Sequence, residues 1–249
     1  MSTFGIIIEA RTKSTRLPNK VLLKLGGDNV LNFLIKRLKP ISKKYNAKIV
    51  VATTTEKEDF KIIQSLKDKK IFTFRGSTDN VLQRVISAAN KHNIDFIIRV
   101  TSDCPLVDVD LIEQSIKIFL NNKVDIVTNA HVRSYPDGMD VEIIKLKALK
   151  KVFKLVKKDK EMLEHLSLGI KKNSRYFSII NLVAPPNMFY PQIGVTLDEK
   201  EDYILIQKIV NFFKKRKKNF NCLDILNYVI KNKKILMINK KIKRTTYSV

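Results

Sequence analysis

Apolar positions along the chain come in two patterns. Short continuous apolar runs, rich in Ile and Val, predict buried strands at 4–9, 48–53, 71–74, 95–101 and 124–128. Between them, apolar residues recur at helical spacing and predict helices at 30–39, 56–67, 79–92 and 108–121. The second half is less regular. Strands are predicted at 141–144 and 176–183 around a basic helix at 148–171. A strand at 193–197, a helix at 201–213 and a last helix at 223–230 follow. Strands that alternate with helices and are apolar throughout imply an α/β fold, with a mostly parallel sheet covered on both faces. Such sheets bind ligands beyond the carboxyl ends of their strands. That directs attention to the segments after Glu9, Thr53 and Thr101.

The chain has 249 residues, enough for one large α/β domain, and 44% of them are hydrophobic, which excludes a disordered chain. No apolar run approaches the roughly 18–20 residues of a membrane span, and the start lacks the basic flank of a signal peptide. Cys104 and Cys222 are the only cysteines, so no disulfide framework is expected, and the simplest address is the cytoplasm. The net charge of +24 invites a nucleic-acid reading. Its distribution argues otherwise. Residues 143–175 and 214–249 carry +8 and +11, whereas 176–213 carry −2. Most of the cations are Lys, which on amphipathic helices form a solvated face. Few aromatics accompany the basic tail, which disfavours base stacking. The run Lys214-Lys215-Arg216-Lys217-Lys218 is the one boundary signal. It divides a domain at 1–213 from a basic helical extension at 214–249, expected to pack on that domain because its apolar pattern resumes at once.

Against so much Lys, an Arg is the less expected cation, and it suits bidentate recognition of phosphate or carboxylate. Arg11, Arg16, Arg75, Arg84 and Arg99 are five of only ten in the chain. The loop from Ala10 to Lys20 holds four cations and three hydroxyls. It is a candidate triphosphate cradle or a basic surface turn, and it is neither a Walker loop nor a GxGxxG turn. Asp103, at the end of a predicted strand and beside Pro105, could hold Mg²⁺ or stabilise the next turn. Asp198 ends a later strand and could be a second metal ligand or a helix cap. Arg75-Gly76-Ser77-Thr78-Asp79 is a helix start that could approach a ligand. Tyr135-Pro136-Asp137-Gly138 is a turn, with Asp140 and Glu142 beyond it on one strand face. His131 and His165 are candidate site residues, whereas His92 reads as a surface residue. No His/Cys spacing resembles a zinc site. Cys104 reads as structural, because Asp103 beside it disfavours its thiolate.

In order along the chain, these segments resemble the cytidylyltransferases of nucleotide-sugar synthesis. They are most similar to the branch named after spore-coat polysaccharide biosynthesis protein F, which is related to the CMP-acylneuraminate and CMP-Kdo synthetases. The pattern A-R-x-x-S-T-R-L-P-x-K is met by residues 10–20, T-x-D-C-P-L by 101–106 and Y-P-D-G-x-D-V-E by 135–142. Glu164-His165, the T-x-D-x-x-E-D pattern at 196–202, and tail segments at 224–226 and 238–247 complete it. Three positions depart from the pattern. Lys13 stands where Gly is frequent, Leu163 where an Arg commonly precedes Glu-His, and Gly194 in a segment where an Arg is common. The latter two remove cations from the acceptor region.

The resemblance implies a nucleotide-diphospho-sugar transferase fold (GT-A-like), an α/β/α sandwich with a mixed, mostly parallel sheet. It implies transfer of CMP from CTP to an acidic sugar or a sugar or polyol phosphate, with release of pyrophosphate, in surface glycan synthesis. By the same resemblance Ala10, Arg11, Ser14, Arg16 and Lys20 hold the triphosphate, with Lys20, Arg16 and Asp103 at the reacting centre. Arg75, Ser77 and Asp79 lie near the nucleotide. Asp103 and Asp198 hold Mg²⁺, and Tyr135, Asp137, Asp140, Glu142 and His165 line the acceptor side. A homodimer is expected by analogy. The alternatives are a transferase of this fold using another nucleotide, a scaffolding relative without activity, and a binder of nucleic acid or an anionic surface.

Overall fold

The structure, a computed structural model, describes residues 2–68, 70–156, 159–216 and 219–244. In chain order the strands are β1 (Phe4–Glu9), β2 (Lys24–Leu25), β3 (Asp28–Asn29), β4 (Lys48–Thr54), β5 (Phe72–Gly76), β6 (Phe96–Thr101), β7 (Ile126–Thr128), β8 (Glu142–Lys145) and β9 (Ile179–Asn181). The helices are α1 (Val30–Lys44), α2 (Phe60–Ser65), α3 (Val81–Lys91), α4 (Val109–Asn121), α5 (Leu146–Val156), α6 (Lys160–Glu164), α7 (Leu166–Lys172), α8 (Lys200–Lys215), α9 (Cys222–Lys231) and α10 (Lys233–Leu236). Seven strands form one sheet in the order β5-β4-β1-β6-β8-β7-β9. The first four run parallel, β8 is antiparallel to both its neighbours, and β9 pairs parallel with β7.

The continuous apolar strands follow from this layering. Successive side chains of a strand face opposite sides of the sheet. Ile6 and Ile8 of β1 therefore join one core, and Ile7 joins the other. On the first side they meet Leu34 of α1, Ile112 of α4, Ile209 of α8 and Leu226 of α9. On the second they meet Val85 of α3, Val152 of α5 and Ile170 of α7. The result is the mostly parallel α/β/α sandwich implied by the sequence. The carboxyl ends of β1 and β6 lie side by side, with Glu9 in register with Thr101.

Several elements differ from the sequence reading. The basic helix at 148–171 is broken into α5, α6 and α7. Asp159 caps α6 by accepting from the Met162 N–H at 3.0 Å, so helical spacing resumes after an interruption. Segment 193–197 is no ladder strand. It makes an isolated parallel bridge, Gly194 to Asp137 in the turn ahead of β8, although Ile193, Val195 and Leu197 are buried. The two-residue hairpin β2–β3 was not expected, despite its signal. Gly26 and Gly27 both have positive φ, as a tight hairpin turn requires.

The extension beyond 213 is helical and docks on the first core through Cys222, Ile225, Leu226 and Val229. Asp108 ties it down. One carboxylate oxygen caps α4 at the Asp110 N–H (2.8 Å), and the other accepts from the Cys222 N–H (2.7 Å). Lys217, Lys218 and the part of the tail resemblance at 246–247 lie outside the described residues.

Candidate active site

The loop at 10–20 leaves the end of β1 and is held from beneath. The buried Asp59 accepts from both the backbone N–H and the hydroxyl of Thr12 at 2.6 Å, and also from the Thr54 hydroxyl. Asn19, in the left-handed region, donates its N–H to the Thr12 carbonyl at 2.9 Å and closes the loop. Ser14 Oγ accepts from the Leu17 N–H at 3.3 Å. With the backbone fixed in this way, Ala10, Arg11, Ser14, Arg16 and Lys20 line one lobe of a cleft. Arg11 reaches across it to Glu164 at 3.2 Å.

Asp103 and Asp198 stand where this lobe meets a second. The chain brings them together by backbone bonding: the Leu197 N–H donates to the Asp103 carbonyl at 2.7 Å. Neither carboxylate is spent on a helix cap. Asp108 caps α4, and the fully buried Asp202 accepts from the N–H groups of Asp198 and Glu199 at the start of α8. Both free carboxylates turn to one cation. Lys20 Nζ lies 2.9 Å from Asp103 Oδ2 and 3.0 Å from Asp198 Oδ1. Arg16 adds a contact to Asp198 at 3.1 Å. Burial alone would raise the Asp103 carboxyl, but Lys20 holds it below its ordinary range. Burial likewise works against the Lys20 ammonium, and the two carboxylates raise its pKa nonetheless.

The second lobe, a cavity of about 300 Å³, carries Asp137, Asp140, Glu142, His131 and His165. Arg133 forks onto Asp140 with two hydrogen bonds of 3.1 Å and donates to Asp137 at 3.0 Å. Arg99 joins Glu142 at 2.6 Å to Glu9 at 2.6 and 3.1 Å, so the end of β6 is locked to β1 and β8. Burial pushes the Asp140 carboxyl up to about 6 against the opposing pull of Arg133. Asp137 is raised for the same reason, with Arg133 and Arg244 opposing. Burial lowers the His131 imidazole. Gly138, with φ near +101°, packs against the backbone of Val195 and Thr196, where an added Cβ would fall 2.6 Å from Thr196 N. The Pro136-Asp137-Gly138 turn and the Asp198 segment are thereby stacked on each other. Cys104 is buried, and its thiol is pushed well up by burial and then by Asp103, consistent with a structural role.

Four of the expected residues lie elsewhere. The Tyr135 side chain is buried in the first core rather than lining the cavity. Arg75 turns its guanidinium to the carbonyls of Thr54, Thr55 and Glu56 and serves the loop after β4. Ser77 and Asp79 line neither lobe; Val81 and Arg84 from α3 do so instead. Ser77 is occupied locally, its hydroxyl accepting from the Asn80 N–H and its carbonyl from Arg84. Arg133, Lys171 and Arg244 line the second lobe without having been singled out. The signals were the proximity of Arg133 to the Pro-Asp-Gly turn and the place of Arg244 within the tail segment at 238–247.

Among the described residues, no group of three or more His, Cys, Asp and Glu side chains is gathered as a metal cage, and no helix is long and apolar enough to cross a membrane. A phosphate-type loop and Asp103 at the ends of the adjacent parallel strands β1 and β6, joined by Asp198 from ahead of α8, form a nucleotidyltransferase arrangement. The comparisons define it further. The cytidylyltransferase family model matches residues 5–242, and the chain belongs to that family. It is 34% identical over 241 residues to the uncharacterized protein MJ1063 of Methanocaldococcus jannaschii, covering 97% of this chain and 96% of the relative. It is 31% identical over 212 residues to the spore coat polysaccharide biosynthesis protein SpsF of Bacillus subtilis, covering 84% and 87%. A solved cytidylyltransferase from Leptospira borgpetersenii superposes with a TM-score of 0.88 at 31% identity, over 98% of this chain and all of the other. The CMP:2-keto-3-deoxy-manno-octonic acid synthetase complexed with CTP shares the fold, with a TM-score of 0.62 at 14% identity over 86% of this chain and all of the other.

Proposed function

We propose that this chain transfers CMP from CTP to a small anionic acceptor, an acidic sugar or a sugar or polyol phosphate, and releases pyrophosphate, in surface glycan synthesis. One observation carries the reading: Asp103 and Asp198 converge on a single cationic atom at the seam between a basic phosphate-type lobe and a polar acceptor-sized lobe. The family membership and the likeness to SpsF support the cytidylyl donor and the glycan context.

In this reading Arg11, Ser14, Arg16 and Lys20 bind the triphosphate and orient its α-phosphorus toward the second lobe. The acceptor oxygen forms a bond to that phosphorus as the bond to the bridging oxygen of pyrophosphate breaks. Such a transfer depends on in-line positioning and charge neutralisation more than on covalent help. Lys20 and Arg16 offset the charge that develops on pyrophosphate. A carboxylate or phosphate acceptor needs no base. For a hydroxyl acceptor Asp140, with its carboxyl near 6, takes the proton.

The pair fits a divalent ion. Its two carboxylates already share one cation, and one or two carboxylates completed by substrate phosphate is the usual Mg²⁺ set. Bound there by Asp103 and Asp198, Mg²⁺ would polarise the α-phosphate. A cytoplasmic, homodimeric enzyme completes the proposal; a mass twice that of the 28.8 kDa chain in light scattering would support the dimer.

The test is a pyrophosphate-release screen of CTP against ATP, GTP and UTP with Mg²⁺, across acidic sugars, sugar phosphates and polyol phosphates. Acceptor-dependent release with CTP in excess over the other nucleotides is expected. Equal rates with another nucleotide, or release independent of any acceptor, would sink the reading.

A further inference from the structure

The tail beyond α10 returns to the second lobe. Asn239 donates to the Gly194 carbonyl at 2.9 Å and to Asp202 Oδ1 at 2.7 Å. Arg244 then lays its guanidinium over Gly194 and donates from Nη2 to Asp202 Oδ1 at 2.7 Å. Gly194 acts as a slot. A Cβ there would fall 1.9 Å from both Arg244 Cζ and Nε, so any side chain at 194 excludes the guanidinium.

Arg244 differs from the other arginines of the lobe in how its donors are used. Arg99 is engaged on both sides by Glu9 and Glu142, and Arg133 forks onto Asp140. Arg244 Nη1 is buried and hydrogen-bonded to nothing among the described residues; Asp137 Oδ2, at 3.5 Å, attracts it as an ion pair without a hydrogen bond. A guanidinium offers five N–H donors in a planar fork. A desolvated donor without an acceptor is costly to the protein alone and gains a strong bond once an oxyanion arrives.

We propose that Arg244 is a specificity-determining residue that binds the carboxylate or phosphate group of the acceptor, and that Gly194 admits it to the site. The inference rests on the acceptor lobe proposed above. It makes the C-terminal tail part of the substrate site.

The test uses the full chain with 3-deoxy-manno-octulosonate as carboxylate probe, glycerol 3-phosphate as phosphate probe and glycerol as neutral control. Ligand-induced shifts in melting temperature are recorded for the wild type, Arg244→Ala, Arg244→Lys and Gly194→Ala, with CTP measured alongside. One anionic probe is expected to stabilise the wild type, and which of the two does so identifies the oxyanion. Its apparent affinity is expected to fall at least 10-fold in Arg244→Ala and Gly194→Ala, and partly in Arg244→Lys, while the CTP shift persists in all. Arg244→Lys keeps a cation beside Asp202, so it guards against loss of the fold. Equal anion shifts in all four proteins, or no anion shift in a wild type that responds to CTP, would overturn the role of Arg244. Loss of the CTP response in the wild type would instead defeat the nucleotide reading itself.

Discussion

Asp103 lies in a turn and Asp198 just ahead of α8, yet both carboxylates meet Lys20 Nζ within 3.0 Å. Replacing Asp103 by Asn keeps the shape and removes the charge. Turnover is expected to fall at least ~100-fold, as when an electrostatic contact to a reacting group is lost. Melting should stay within a few degrees of the wild type, because Lys20 and Arg16 still hold Asp198. Pyrophosphate release and thermal unfolding of one sample would decide it. As the proposed base, Asp140 sets a pH limb. Its carboxyl is raised from its ordinary value to about 6, so below that pH it is protonated and cannot accept a proton. With a hydroxyl acceptor, kcat/KM should fall about tenfold per pH unit below 6, and Asp140→Asn should abolish the limb along with most of the rate. The sign for stability is opposite. The fold favours the protonated carboxyl, so whatever stability Asp140 lends is present in acid and is lost as pH rises through 6. Each Asp stood out because it follows a predicted strand, and only the family resemblance paired the two. Arg133 and Arg244 were not legible, because nothing local in the sequence reports where a loop or a tail carries a given side chain.

The loop at 10–20 depends on an element that its own sequence does not contain. Asp59, in the short helical turn before α2, takes three donors from Thr12 and Thr54. Asp59→Ala strands those donors in a buried setting and should cost about 2–4 kcal/mol, read by urea unfolding. The KM for CTP should also rise about tenfold as the cradle loosens, since a tenfold change corresponds to only about 1.4 kcal/mol. From the sequence, Asp59 looked like one more polar position on a helix. Apolar alternation had a related limit at 193–197. Ile193, Val195 and Leu197 are buried as the pattern required, but alternation reports which side chains face a core, not whether the backbone joins a ladder. Periodicity likewise ran across the break between α5 and α6, where a cap rather than a loss of spacing marks the new start.

At the scale of the molecule, the sheet order shows what pattern cannot carry. The parallel strands β4, β1 and β6 were evident as apolar runs, whereas the antiparallel insertion of β8 between β6 and β7 is a matter of long-range pairing. That insertion brings Glu142 opposite Arg99 and so builds the wall of the second lobe. The net charge of +24 also resolves with scale. Lys147, Lys150, Lys154 and Lys215 are exposed on helices, and none lines either lobe. Changing all four to Gln should leave kcat/KM within about twofold, because exposed charges that line neither lobe act on it through solvent and salt, which screen them over about 8–10 Å.

Lys20 finally bears on how the carboxylate pair holds together without the proposed divalent ion. A carboxylate pair built only for a divalent ion would repel itself whenever that ion left. Here Lys20 lies between the two carboxylates and Arg16 adds a second positive charge on Asp198, so the protein's own cations balance the pair. A chelator is therefore expected to stop turnover while leaving the melting temperature unchanged, with activity returning on re-addition of Mg²⁺. The ion would act as an exchangeable reagent, and the protein could be stripped, stored and recharged without passing through an unfolded state.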